Sequence, residues 1–259
     1  MSDKNNVAFI VEGEAREPLI IKNIKKVFFK HANFKIITLP ACQNIYMLWK
    51  ILEDDDYNTD VIEVLRECST DVAKQLEGLE RDDFSEVYLF FDYDGHQNNL
   101  NGKYSENVLE SMLRNFNNET ENGKLYVSYP MVEALRDFIE TKCGDKENCY
   151  IDVVDITNYK FDSSERSEHP QFKNYDFDIW SKIIEVFIMK CSCFMNDKFD
   201  FSYDAYIECI TPETIFVREQ EEILKKRVFI LSAFPEFLID YHGEKMWKKC
   251  FKARTDYCK

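Results

Sequence analysis

Acids stand where the apolar runs of this chain end. Val7-Ala-Phe-Ile-Val11 closes on Glu12-Gly13, and Val87-Tyr-Leu-Phe-Phe91 closes on Asp92-Tyr93-Asp94-Gly95-His96. Glu133 follows a third run, Lys124-Leu-Tyr-Val-Ser128, by a few residues. The second run reads as a strand buried on both faces, the kind found inside a parallel sheet. Residues two apart on a strand point to one side, so with Tyr93 extended the carboxylates of Asp92 and Asp94 face the same way. Two like charges held together cost stability unless a cation or a shared proton offsets them. A hard, oxygen-seeking ion, Mg²⁺ or Mn²⁺, is the simplest offset. Carboxylates gathered at strand ends can hold one or two such ions. These activate a water and stabilise the charge that builds during phosphodiester cleavage.

Other residues near the acids can take part. His96 can serve as acid, base or phosphate contact, and Lys103 and Arg16 can meet a phosphate. Plainer readings stand beside these. Asp92 and Asp94 also suit a turn or a helix start. Glu17 and Glu133 suit the first turn of a helix, where an acid complements the dipole. His96 also suits an ordinary loop, and Glu14 and Glu53-Asp-Asp-Asp56 suit solvated turns. Cys191-Ser-Cys193 has no second pair at zinc-site spacing and reads as core packing.

The elements that must position these residues alternate. Strand 7–11 leads through an acidic turn into a helix from about Glu17, with apolar residues at 20, 24, 27 and 28 and Pro18 in its first turn. Phe34 to Leu39 reads as a strand, Ile45 to Leu52 and Val61 to Leu79 as helices. Then follow strand 87–91, a mobile loop at Gln97 to Lys103, a helix over Glu106 to Phe116 and strand 124–128. A helix running to about Lys142 completes this half. Strands alternating with helices predict an α/β fold with a parallel or mostly parallel sheet flanked by helices. Such sheets bind ligands beyond the carboxyl ends of their strands.

Beyond Gly144 the pattern changes. Ile151 to Ile156 reads as a last strand and Asp162 to Pro170 as a linker. Phe177, Trp180, Ile184, Phe187, Ile188, Cys191 and Met195 trace one helical stripe. The expected division is 1–145, carrying the acids, and 146–259, mainly helical and suited to binding a substrate or partner.

Composition narrows the class. In 259 residues, aromatics make up 15% and only 7 are glycine, which describes a packed globular chain rather than a disordered one. The polar opening Met1-Ser-Asp-Lys-Asn-Asn is read as lacking a signal segment, and no apolar run approaches the length of a membrane span. The nine scattered cysteines are expected to be reduced, which suits the cytoplasm. A net charge of −15 argues against a free-standing nucleic-acid-binding module. A nucleic-acid substrate would need a local basic patch, metal ions or a partner protein. The most basic surfaces are Lys22, Lys25, Lys26 and Lys30, and Lys225, Lys226 and Arg227.

At the acids the chain resembles the Toprim (topoisomerase–primase) domain. That family has a glutamate after its first strand and an Asp-x-Asp pair after a later one, on a parallel sheet flanked by helices. The similarity is to its RloB-like and OLD-family branch. Glu12-Gly13-Glu14-Ala15-Arg16-Glu17-Pro18 resembles the pattern EGExxEP, and Ser128-Tyr129-Pro130-Met131-Val132-Glu133 resembles S-x-P-x-x-E. The resemblance spans about residues 5 to 142 and implies a Mg²⁺-dependent nuclease acting on DNA, tRNA or another RNA. Its members largely serve antiphage defence, commonly beside an ABC- or SMC-like ATPase. It implies Glu12 as general base or metal ligand, Asp92 and Asp94 as metal ligands, Glu17 and Glu133 at a second metal, and Ser128 as a minor polar contact. OLD-type enzymes often carry their second glutamate where Arg16 stands here; Glu17 follows the RloB-like spacing. No membrane role is implied, and a homo-oligomer is compatible with this reading.

Two rivals remain. Asp92-Tyr93-Asp94-Gly95-His96 is also similar to the opening D-x-D-G-[TV] of haloacid-dehalogenase phosphatases, with Asp92 as nucleophile and Asp94 as acid and base. His96 replaces the usual Thr or Val, the motif sits mid-chain, and no downstream GDxxxD is evident. The other rival is a catalytically silent Toprim-like regulatory subunit, which the acidic surface suits and the intact set of carboxylates opposes.

Overall fold

A computed structural model describes residues 6–41, 45–93, 107–138, 149–195 and 202–251. Asp94, His96 and Lys103, and the loop read at 97–103, lie outside these residues. The chain divides into two compact units, Met1–Phe91 with Leu100–Leu125, and Asp92–Asn99 with Tyr126–Lys259. These units do not coincide with the segments 1–145 and 146–259.

The apolar runs form the strands expected of them. β1 (Asn6–Val11), β2 (Lys35–Pro40), β3 (Phe84–Asp92), β4 (Asn117–Asn118) and β5 (Gly123–Ser128) make a five-stranded sheet in the order β2-β1-β3-β5-β4. β1 pairs parallel with both β2 and β3, and β4 pairs antiparallel with β5. Val7 to Val11 are all buried, which explains why their run does not alternate with polar residues. Phe9 sets its ring edge-on to Tyr88 at 5.6 Å and meets Phe90 at 5.5 Å. Burying one such side chain contributes about 2–3 kcal/mol. Gly123 opens β5 at φ +108°, and a Cβ there would stand 2.7 Å from Leu89 Cδ1. Both the backbone angle and the close approach demand glycine.

The first unit's helices are α1 (Arg16–Phe28), α2 (Ile45–Asp54), α3 (Val61–Cys68), α4 (Thr70–Gln75) and α5 (Asn107–Asn115). α1 buries Ile20 and Ile24 of its expected stripe, together with Ile21, while Val27 and Phe28 are half-buried. The single helix expected over 61–79 is instead broken at Ser69, which is extended (φ −149°, ψ 128°). Asp60 caps α3 by accepting from the Ile62 and Glu63 amides, and Arg66 donates to the Leu76 and Leu79 carbonyls at 3.0 and 2.5 Å. That guanidinium meets the carbonyl of the residue that caps α4 and one in the turn beyond it. The break therefore serves a tertiary contact that periodicity does not report.

In the second unit, β6 (Tyr150–Asp152) and β7 (Arg227–Phe229) form an antiparallel ribbon. The strand expected over 151–156 is thus shorter, and α6 (Ile156–Arg166) begins at its end. The linker expected at 162–170 is a correction: Asp162 to Arg166 are the last residues of α6. Arg166 donates to both carboxylate oxygens of Asp137, at 2.9 and 2.7 Å, and lies over the Tyr159 ring. Tyr159 also donates to Asp137. A polar stretch that looks solvated is held by an ion pair 29 residues away in sequence. The helix expected after Met131 is a 3-10 segment, Val132–Arg136; 139–142 lie outside the described residues. The stripe from 177 forms α7 (Phe177–Phe194), with Trp180, Ile184, Phe187, Ile188 and Cys191 buried. α8 (Tyr203–Cys209), α9 (Pro212–Ile223), α10 (Ala233–His242) and α11 (Glu244–Cys250) complete the helical part.

Among the described residues, no helix is long and apolar enough to cross a membrane. Cys149, Cys191, Cys193, Cys209 and Cys250 carry thiols rather than disulfides. Cys68 is disulfide-bonded, a departure from the expectation of reduced thiols throughout. Pairing depends on how the folded chain brings two cysteines together, which their spacing does not encode.

Candidate functional site

The strand order gives the candidate site its setting. From β1 the chain goes to β2 on one side and then to β3 on the other, so the order reverses at the carboxyl end of β1. This is a topological switch point, where open α/β sheets leave a crevice for a ligand. Val11 stands opposite Phe90 of β3 and Pro40 of β2 in the two parallel ladders. Glu12 follows Val11 directly, and Asp92 is the last residue of β3. Both are half-buried.

Glu17 has a definite local role. It is buried in the first turn of α1, and its Oε1 accepts the Gly13 amide at 3.0 Å. A buried carboxylate needs such a donor. The bond closes the acidic turn on the helix that follows it. Glu14, by contrast, is exposed, as a solvated turn residue should be.

In the second unit the ends of β3 and β5 lie side by side. The Tyr93 amide donates to the Ser128 carbonyl at 3.0 Å, and the rings of Tyr93 and Tyr129 are 5.6 Å apart. Ser128 is buried, and its Oγ accepts the amide of Ala233, the first residue of α10, at 3.3 Å. Tyr129 and Leu231 exchange two backbone bonds, of 2.7 and 3.0 Å, and the Tyr129–Pro130 peptide is cis. Glu133 follows on the 3-10 segment and is 2% exposed, so little of it meets solvent.

Glu12 and Glu17 thus belong to the first unit, and Asp92, Ser128 and Glu133 to the second. Among the described residues, no group of three or more His, Cys, Asp or Glu side chains is gathered as a metal would require; Asp94 and His96 are not among them. The donor chemistry suits a hard cation, since every candidate ligand is a carboxylate.

One polar residue escaped the sequence reading. Lys190 of α7 is buried, and its Nζ donates to the Asp137 carbonyl at 2.7 Å and the Ile230 carbonyl at 3.2 Å. Burial holds its ammonium below the usual lysine range. Beside it a cavity of about 20 Å³, lined in part by Phe187 and Ser232, has room for one water. A signal was present: Lys190 lies between Met189 and Cys191 in a helix that is apolar nearly all round, and such helices are buried.

No family model matches the chain, and neither the curated proteins nor the solved structures contain a match. The class defined by the fold is accordingly an α/β protein with a mainly parallel five-stranded sheet flanked by helices.

Proposed function

We propose that the protein is a metal-dependent nuclease of the Toprim class, cleaving phosphodiester bonds in DNA, tRNA or another RNA. One observation carries the reading. Two adjacent parallel strands at the switch point of the sheet, β1 and β3, each run straight into an acid, Glu12 and Asp92. Acids at that place in an α/β sheet serve a ligand better than they serve the fold.

In this reading Glu12, Asp92 and Asp94 hold Mg²⁺ or Mn²⁺, with Glu17 and Glu133 as candidates for a second ion. Bound there, the metal supplies Lewis-acid stabilisation and makes water a better nucleophile. Glu12 takes the proton of the attacking water. Asp92, the last residue of β3, and Asp94 would hold the ion beside the scissile phosphate, and His96 or Lys103 would contact a non-bridging oxygen. The Gly13–Glu17 bond keeps the turn that carries Glu12 in one conformation. The wider setting is antiphage defence in the cytoplasm, with an ABC- or SMC-like ATPase as controlling partner.

The test joins binding and activity. Mg²⁺ or Mn²⁺ is expected to raise the melting temperature, because a ligand that binds only the folded state stabilises it. Asp92→Asn is expected to remove most of that rise, to leave the metal-free fold as stable or slightly more so, and to abolish cleavage of plasmid DNA or tRNA. An unchanged metal response in Asp92→Asn places the metal elsewhere. Hydrolysis of a small phosphomonoester that survives Glu12→Gln and is blocked by beryllium fluoride overturns the nuclease in favour of a phosphatase with an aspartyl-phosphate at Asp92.

A further inference from the structure

The acids of this chain are unevenly spread. Asp and Glu outnumber Lys and Arg by 48 to 33, yet the stretch from Pro18 to Leu52 contains neither acid and carries Lys22, Lys25, Lys26, Lys30, Lys35 and Lys50. Folding brings most of these lysines onto α1, the turn after it and β2, all within the first unit. Lys22 and Lys26 are exposed one turn apart on α1, Lys30 is exposed in the turn that follows, and Lys35 is exposed at the start of β2. β2 is the edge strand of the sheet. Lys25 is half-buried and donates to the Ile36 carbonyl at 2.9 Å, which ties α1 to that edge. Burial, and then the nearby charge of Lys35, hold the Lys25 ammonium below the usual lysine range, as crowded positive charge should.

A simpler account covers part of this. Lys25 and Lys26 stand in the last turn of α1, where cations complement the helix dipole. The dipole gives no reason for Lys22 or Lys35, nor for the absence of acids as far as Leu52. Among the described residues, no carboxylate pairs with Lys22, Lys26 or Lys30. With a rise of about 1.5 Å per residue, lysines four apart stand about 6 Å apart along the axis, close to the separation of successive phosphates in an extended strand. Lysine acts on phosphate as a point charge and needs no further geometry.

We propose that the lysine strip of α1, the turn after it and β2, Lys22, Lys26, Lys30 and Lys35, is the surface on which the protein grips a nucleic-acid strand by its phosphates. The inference rests on the nuclease reading and names a grip for a chain at −15; of the other basic surface, Lys225 and Arg227 are paired with Glu222. Contact is through the backbone, so the strip gives affinity with little sequence preference.

The experiment measures binding of the full chain to a short labelled oligonucleotide in EDTA, across a range of salt. Without metal, binding is read independently of cleavage. The triple variant Lys22→Glu, Lys26→Glu, Lys30→Glu is expected to bind at least ~10-fold more weakly at low salt. Its plot of log affinity against log salt should be shallower by about 2–3, one contact's worth per lysine. A control triple in the second unit, Lys160→Glu, Lys182→Glu and Lys245→Glu, changes net charge equally and is expected to lose far less. The strip lysines are exposed, so the melting temperature should hold. If the Glu triple does not fold, the corresponding Gln triple decides by a smaller loss in the same direction. The proposal is overturned by a wild type that does not bind at low salt, by equal losses in the two triples, or by no loss in the first. Polyglutamate that competes as well as the oligonucleotide also overturns it, in favour of an acidic protein surface.

Discussion

At the scale of single residues, the turn after β1 depends on Gly13 and Glu17 together. A Cβ on Gly13 would stand 2.5 Å from Glu17 Oε2 and 2.9 Å from Oε1. The carboxylate that would have to move is buried and already bound to the Gly13 amide. Gly13→Ala is therefore expected to cost about 1–2 kcal/mol by displacing that acceptor, and Glu17→Ala a similar amount by removing it. Added to Glu17→Ala, the Gly13→Ala change should cost almost nothing, since the obstacle and the bond are both gone. Chemical denaturation of the two single variants and the double checks this. Costs that simply add would show that the glycine is required for another reason. The EGExxEP resemblance includes both residues; the geometry adds a local reason for them to occur together.

At the scale of elements, α9 holds the β6–β7 ribbon through a buried acid. Thr211 caps α9 and Pro212 begins it. Glu219, fully buried, accepts the Phe229 amide of β7 at 3.1 Å. Burial pushes its carboxyl well above the usual range; the Phe229 amide pulls it down and the neighbouring Glu222 pushes it up. For Glu222, burial acts upward too, but its bonds to Lys225 at 2.8 Å and Arg227 at 2.7 Å bring it below that range. A carboxyl raised in the folded state gives its full stability below the unfolded value of about 4.3 and loses it as pH climbs through the folded value. Glu219→Gln keeps the acceptor and the shape but cannot ionise. The variant is expected to be more stable than the wild type at neutral pH, and this advantage should shrink to little or nothing near about pH 4. Denaturation of both proteins across that window reads the difference directly. A pH-independent difference would mean that Glu219 does not titrate on unfolding.

At the scale of the whole molecule, charge sets when a nuclease of this kind could act. Acids outnumber bases by 48 to 33, and a net −15 repels a polyanion before contact. Screening over about 8 Å at physiological salt damps that repulsion without cancelling it. The protein alone is expected to bind nucleic acid weakly there and to cut it slowly. Addition of the proposed ATPase partner with ATP should raise the rate by positioning or releasing the substrate. Turnover measured with and without the partner separates the cases: fast cleavage by the protein alone, unchanged by any partner, would show that the acidic surface imposes no dependence.

The sequence by itself determined four of the five strands of the main sheet and the apolar stripes of α1 and α7. Val7 to Val11 and Val87 to Phe91 are unbroken apolar runs bounded by polar residues, and the stripe from Trp180 to Cys191 repeats with the helical period. It also determined that Glu12 and Asp92 stand at strand ends, because the boundary between apolar and acidic residues is local. Tertiary structure alone decided the strand order that sets β1 beside β3, the break at Ser69 that Arg66 spans, and the helix in place of a linker at 162–166. It likewise decided the burial of Glu17 and the carbonyls that Lys190 meets. Each of these turns on a partner that periodicity does not specify: the Leu76 and Leu79 carbonyls for Arg66, Asp137 for Arg166, the Asp137 and Ile230 carbonyls for Lys190. A pattern of apolar residues says which side of an element turns away from water. Which polar group meets it there is a property of the folded chain.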